Sequence, residues 1–232
     1  ETLRSVGGRL PLLDHHLGRL RHTTDTLGIQ FPTLQTIHKE AQLLMTLWDG
    51  PDANVRLTLT GGGRRIFRAK VAPPVSPRLS CVSRPWQPIT GLEAVKHGSR
   101  AGWVIDVRRS GADEVLWVDG QGHVLEASNG GVFAIVGGHV WTPPLDGRIL
   151  PSITRSVLLP LFEDLGKKVI EGRFSLSQVE AIFVASSLKV FAPVVSLDGA
   201  PLPSAEWPLL KMLIDAYFQR VCSSQGTGPP AR

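Results

Sequence analysis

The sequence predicts an α/β (α+β) protein folded in two lobes, and three observations carry that prediction. Segments with apolar residues at helical spacing are interspersed with short apolar or alternating runs bounded by glycine turns. Prolines 73, 74, 77, 85 and 88 forbid a long helix over that stretch and mark a linker. No internal repeat or low-complexity core interrupts the pattern. The expected organisation is a small N-terminal α/β domain over 1–88, with the Pro-rich linker at 73–88, and a larger C-terminal domain over 89–232.

"ETLRSV" and "RLPLL" read as two strands around Gly7-Gly8, the middle of a β-hairpin whose preceding strand is missing. "DHHLGRLRHTTDTLG" reads as a helix closed by Gly28, and "TLQTIHKEAQLLMTLWDG" as a helix ending at Gly50. "NVRLTLT" alternates as a strand does, "GGGRR" is a flexible cationic loop, and "IFRAKVAPP" resumes as a strand. From Ile89 on, "EVLWVDGQGHVLEAS" is strand, turn, strand, and "GGVFAIVGGHVWTPP" repeats that plan. "SITRSVLLPLFEDLG" starts a helix with a kink at Pro160, and "SLSQVEAIFVASS" is a short helix entering a strand. "KVFAPVVSLDGAPLP" is extended, "WPLLKMLIDAYFQRVC" is an amphipathic helix, and "SSQGTGPPAR" is a frayed tail.

Bulk chemistry narrows the function. Hydrophobic residues make up 42% of the 232 and charged residues 19%, so a core forms and disorder is not expected. The net charge of +5 is spread over "RLRH", "GGGRRIFRAK", "DVRR" and "DLGKK" rather than gathered in one patch. That dispersion argues against nucleic acid and for local anion binding. Cys81 and Cys222 lack CxxC or Cys/His spacing, so neither a disulfide framework nor zinc is expected. Two lone thiols suit a reducing, cytoplasmic setting. No signal-peptide pattern and no apolar run of membrane length is present, so no membrane partner is expected.

Most enzyme signatures are absent: no GxGxxG before a helix, no phosphate-binding loop ending in Lys-Ser/Thr, no GxSxG, no HExxH. His15 and His16 are adjacent and cannot share a helix face, so no metal is expected there. What remains is a set of pieces. Lys96 lies in "LEAVKHGSRAGW". Glu126 ends a strand. "LPSITR" sets first-turn N–H groups and the Thr154 hydroxyl at a helix start. "VASSLKV" offers Ser186, Ser187 and loop N–H groups, and "HLGRL" offers Arg19. Singly, Lys96 reads as a surface lysine, Glu126 as a strand-end charge and "SITR" as a helix cap. Together, a lysine nucleophile, a carboxylate and a phosphate cradle are what a pyridoxal phosphate site requires.

The order and wording of "ETLRSVGGRLPLLDHHLGRL", "VKHGSR", "ADEVLWVDGQGHVLEASNGGVF", "TPPLDGRILPSITR" and "SSLKVFAPVVSLDG" resemble the class IV pyridoxal-phosphate aminotransferase family, over nearly the whole chain. The resemblance implies the two-domain fold type IV architecture, with the cofactor pyridoxal 5'-phosphate between the lobes, and a homodimer. It implies Lys96 as the Schiff-base lysine and proton shuttle, and Glu126 facing the pyridine nitrogen. Arg19, Ile153, Thr154, Ser187 and the Leu188 amide would hold the phosphate. Arg64 or Arg65 is a weaker candidate for a substrate carboxylate, because a guanidinium pairs bidentately. The family usually has Asn where this chain has Gly131, and Gly where it has Ser152; the second would place a Cβ in a tight turn. "VKHGSR" and the opening segment look most like the aminodeoxychorismate lyases, which release pyruvate and 4-aminobenzoate for folate synthesis. A branched-chain or D-amino acid aminotransferase is the alternative, and a non-catalytic binding module on a degenerate version of the fold is the reading from outside enzymology.

Overall fold

A computed structural model describes residues 1–88 and 91–223. The expected boundary at 89 and the tail from 224 lie outside the described residues. The chain divides into two compact units, Glu1–Pro74 with the residues from Phe218 on, and Val75–Tyr217.

The first unit opens with strand β1 (Thr2–Arg4), helix α1 (Leu13–Leu27) and helix α2 (Leu34–Leu47), followed by β2 (Ala53–Leu59) and β3 (Arg65–Val71). Gly7 and Gly8 form the turn read from the sequence, at φ 55° and 74°, inside mutual Val6–Arg9 hydrogen bonds of 2.9 and 3.2 Å. The second hairpin strand does not form. Only Val6 and Arg9 bridge, Pro11 has no N–H for a ladder, and β1 instead pairs antiparallel with β2, Thr2 opposite Arg56. Leu13, Leu17 and Leu20 of α1 lie on one helical stripe. They pack with Ile37 and Ala41 of α2 over Leu3 and Leu57 of the sheet β1-β2-β3. Gly28, at φ 63°, closes α1, and the Thr33 hydroxyl caps α2 by accepting from the Thr36 N–H at 3.2 Å.

The second unit holds β4 (Leu79–Pro85), α3 (Ala101–Ser110), β5 (Glu114–Val118), β6 (Val124–Ala127), β7 (Gly131–Val136), β8 (His139–Thr142) and α4 (Ile153–Asp164). It continues with β9 (Val169–Glu171), β10 (Ala181–Ser186), β11 (Val190–Leu197), β12 (Ala200–Pro201) and α5 (Leu210–Ser223), whose last residues join the first unit. The strands form a nine-stranded sheet in the order β6-β5-β4-β11-β10-β7-β8-β9, with β12 on β11. The Pro-rich segment is therefore not linker throughout. Residues 79–85 lie inside the sheet, parallel to both β5 and β11, with prolines only before the strand, at its last residue and beyond it. Helix α3 and strand β9 have no counterpart in the pattern of the sequence.

Strands buried on both faces explain the unbroken apolar runs of β7, β10 and β11. One face carries Leu116, Val132, Ala134, Ile182, Val184, Ala192 and Val194. Of the alternate residues, Phe133 and Phe191 meet Phe162 of α4, and Phe183 stacks on Phe191 at 4.5 Å. The sheet curls, so that β6, at the end of the strand order, returns beside β7 through the Ala127–Gly130 bridge.

Candidate active site

Several of the predicted residues lie on elements around the turn between β6 and β7. Glu126 is buried near the end of β6, and its carboxylate accepts from the Leu150 N–H at 3.3 Å. That bond draws the segment leading into α4 onto β6. Two residues beyond Leu150, Ser152 caps α4, its hydroxyl accepting from the Arg155 N–H at 3.2 Å. The Ile153 and Thr154 N–H groups are first-turn donors with no intrahelical acceptor. The Thr154 hydroxyl is 1% exposed and lacks a hydrogen-bond partner among the described residues. A buried, unpaired hydroxyl beside two helix-end N–H groups, at the positive end of the helix dipole, is the chemistry a phosphate monoester completes.

Ser187 and Leu188 lie, half-buried, in the turn from β10 to β11. The same hub reaches this turn. Gly131 pairs with Ala185 at the end of β10. A Cβ at Gly130 would lie 2.6 Å from the Ala185 carbonyl oxygen, so only glycine allows the two backbones to approach this closely. Glu126, Ile153, Thr154, Ser187 and Leu188 thus come from elements gathered around one turn.

Lys96 is half-buried in the turn-rich segment before α3. Two anchors hold that segment. Val95 is buried, and the Arg100 guanidinium covers the Trp103 ring at 4.3 Å. Trp103 packs with Trp117, Leu125 and Ile149, the latter two being the immediate neighbours of Glu126 and Leu150. Lys96 is therefore carried by a loop bolted to the strand that bears Glu126. Burial, then the charges of Arg100 and Lys96, push the adjacent His97 below its ordinary value, so the loop is a cationic neighbourhood.

Arg19, Arg64 and Arg65 belong to the first unit. Arg19 pairs with the buried Glu1 carboxylate at 2.6 Å, and His16 meets the same carboxylate at 2.8 Å. Burial pushes the Glu1 carboxyl up, but the His16 and Arg19 hydrogen bonds outweigh it and hold Glu1 well below the carboxylate range. Arg65 opens β3 and is engaged by Glu40 through bonds of 2.7–3.0 Å, while Arg64 is exposed on the preceding turn.

The two departures from the family pattern face each other. A Cβ at Gly131 would lie 3.5 Å from the Ser152 Cβ, so the side chain present at one position fills space beside the glycine at the other. Ser152 sits at φ −77°, ordinary for any L-residue, so its Cβ meets no tight turn. Sequence reasoning passed over Arg155, the last residue of "SITR". Its buried guanidinium donates to the exposed Glu171 carboxylate at 2.5 Å and to the Thr142 hydroxyl at 3.4 Å. It also passed over Arg148, which joins Asp119 of the β5–β6 turn to the segment before α4 through a 2.8 Å bond.

The curled α/β sheet matches the fold type IV architecture. The chain belongs to the class IV aminotransferases: the family model described as "Amino-transferase class IV" matches residues 1–197. Members of this family use pyridoxal 5'-phosphate. A protein of Staphylococcus epidermidis named "Probable branched-chain-amino-acid aminotransferase" is 36% identical over 103 residues. That match covers 40% of this chain and 29% of the relative, so the chain spans under a third of that curated relative's length. Among solved structures, a "Putative 4-amino-4-deoxychorismate lyase" of Legionella pneumophila superposes with a TM-score of 0.84 at 21% identity, covering 94% of this chain and 89% of that one. The PLP-bound form of "a hypothetical aminotransferase" from Mycobacterium tuberculosis gives 0.85 at 20% identity, covering 97% and 89%. Among the described residues, no helix is long and apolar enough to cross a membrane.

Proposed function

We propose that this chain binds pyridoxal 5'-phosphate and acts on an amine substrate, with Lys96 carrying the cofactor. The observation that carries the reading is the buried Thr154 hydroxyl, unpaired at the α4 N-terminus, with Glu126 tied to the same segment through Leu150. When bound, the cofactor supplies an electron sink for charge developing at the substrate carbon. Glu126 would hold the pyridine nitrogen protonated. Ile153, Thr154, Ser187 and the Leu188 amide would bind the phosphate, with Arg19 of the first unit as a further phosphate partner. Lys96 Nζ would attach the cofactor, then take and return the proton at the reacting carbon.

Within that chemistry we favour cleavage of 4-amino-4-deoxychorismate to pyruvate and 4-aminobenzoate, a step of folate synthesis. Support comes from the lyase-like wording of "VKHGSR" and of the opening segment. Lys96 would take the ring proton, the C–O bond to the enolpyruvyl group would break, and the proton would finish on the departing pyruvate. Ring aromatisation drives this step, and no second substrate is needed. Arg64 or Arg65 would meet a substrate carboxylate, and a homodimer in the cytoplasm is the expected setting. Amino-group transfer is the second reading, favoured by the name of the Staphylococcus relative.

Product analysis separates the two. The purified protein, loaded with pyridoxal 5'-phosphate, is given aminodeoxychorismate, then separately amino acids with 2-oxoglutarate. Pyruvate and 4-aminobenzoate in equal amounts are expected. Glutamate without aminobenzoate makes it a transaminase, and a colourless protein that takes up no cofactor sinks both readings.

A further inference from the structure

Glu114, the first residue of β5, is fully buried, and nothing in the chemistry above uses it. Its carboxylate is surrounded by donors from two separate turns. Lys189 Nζ reaches it from the β10–β11 turn as an ion pair. The Ser128 hydroxyl donates to it from the β6–β7 turn, and the Asn129 backbone N–H and side-chain amide donate at 3.0 and 3.2 Å. Ser128 also accepts from the Val115 N–H at 3.2 Å, which fixes its hydroxyl. On the other side, the Lys189 N–H meets the Ser186 hydroxyl at 3.3 Å, and its carbonyl accepts from the Ser76 N–H at 2.8 Å. The next residue, Val190, stands at φ 62°, a conformation a β-branched residue adopts only when its surroundings impose it. Cys81, opposite Glu114 in the register, has its thiol pushed up to about 12 by burial and then by the Glu114 charge.

We propose that Glu114 and Lys189 are positioning residues that set the distance between the two ends of the cofactor site. The β6–β7 turn follows directly from Glu126, at the pyridine end, and the β10–β11 turn carries Ser187 and Leu188, at the phosphate end. One buried carboxylate is bonded to both. Removing either partner lets the phosphate-end turn move relative to Glu126, and small displacements at such a site weaken binding strongly. The inference rests on the proposed cofactor site.

The test titrates pyridoxal 5'-phosphate and pyridoxal, which lacks the phosphate, into wild type, E114Q, K189M and the double variant, followed by visible absorbance. Both single variants should weaken pyridoxal 5'-phosphate about tenfold, with pyridoxal changed by less than about twofold. The double variant should be no worse than either single one, because the pair acts as a unit. K189R should restore most of the affinity. Equal loss of both ligands would mean general damage to the fold and overturns the proposal. Weaker binding in K189M with unchanged or tighter binding in E114Q would mean that Lys189 touches the phosphate itself, and also overturns it. If the charge variants do not fold, S128A decides: a loss of about threefold confined to the phosphorylated ligand is expected, and no loss overturns the proposal. Wild type that binds neither ligand refutes the cofactor site itself, and the inference falls with it.

Discussion

Two hairpin turns of this chain carry cations that look alike in sequence. The β2–β3 turn places Arg64 and Arg65 after three glycines, and Arg65 meets Glu40 at the surface. The β10–β11 turn places Lys189 after two serines, and its partner is the fully buried Glu114. Water screens the first pair, so the pair adds little to hold its turn in place. The second pair sits where an unpaired charge is costly, so its turn has one arrangement. The first turn belongs to the first unit and the second turn to the second.

The comparison breaks most easily at Lys96. Lys96→Ala should lower turnover at least about a thousandfold, with the melting temperature shifted by less than about 2 °C. Steady-state rates beside a thermal melt check it, and a variant that keeps its rate removes the lysine from the chemistry. Next is rigidity. Gly130→Ala forces the β6–β7 turn off the Ala185 carbonyl, and a loss of about 2 kcal/mol is expected in urea unfolding. An unchanged midpoint would show that the hub yields.

A smaller effect comes from acid. Burial raises the Asp119 carboxyl, but the His123 and Gln121 N–H groups and Arg148 outweigh it and hold it at about 2. A carboxyl depressed on folding stabilises above its unfolded pKa, and that stability fades as pH falls from about 4 to about 2. D119N should flatten that part of the stability–pH curve by on the order of 1 kcal/mol, the value reduced because water reaches the pair. Parallel curves for both proteins would rule the pair out. Smallest is Arg65→Ala. The melting temperature should stay within experimental scatter, while KM for a carboxylate-bearing substrate rises severalfold with kcat unchanged. An unchanged KM removes Arg65 from the substrate-binding reading.

Where neighbours in sequence are neighbours in space, the sequence was a good guide. The glycine pairs at 7–8 and 137–138 mark real turns, and the apolar stripes of α1 and α2 mark real helices. The failures share a cause. "RLPLL" is apolar enough for a strand, but its best packing is as an approach to α1. "LSCVSRP" looked like linker because prolines flank it, yet its alternation fits a slot between two parallel partners that no local reading reveals. For the candidate site the sequence reading is a list of proposed residues, with Lys96, Glu126, Thr154 and Ser187 among them. The list carries no geometry, because the bonds joining the elements that bear these residues bridge strands far apart in sequence. Lys189 and Glu114 stand 75 positions apart and meet only because β5 and β11 both flank β4.

Strand β4 has a consequence for the order of assembly. It takes β5 on one side, soon after it in the chain, and β11 on the other, with Leu79 opposite Val194. Until β11 leaves the ribosome, one full edge of β4 offers unpaired N–H and carbonyl groups in the middle of the future sheet. The first unit's own hairpin and helices can form early, but the second unit closes only after most of the chain exists, as its long-range pairing requires. A chain halted before Val190 would therefore keep an open, apolar strand edge and tend to aggregate.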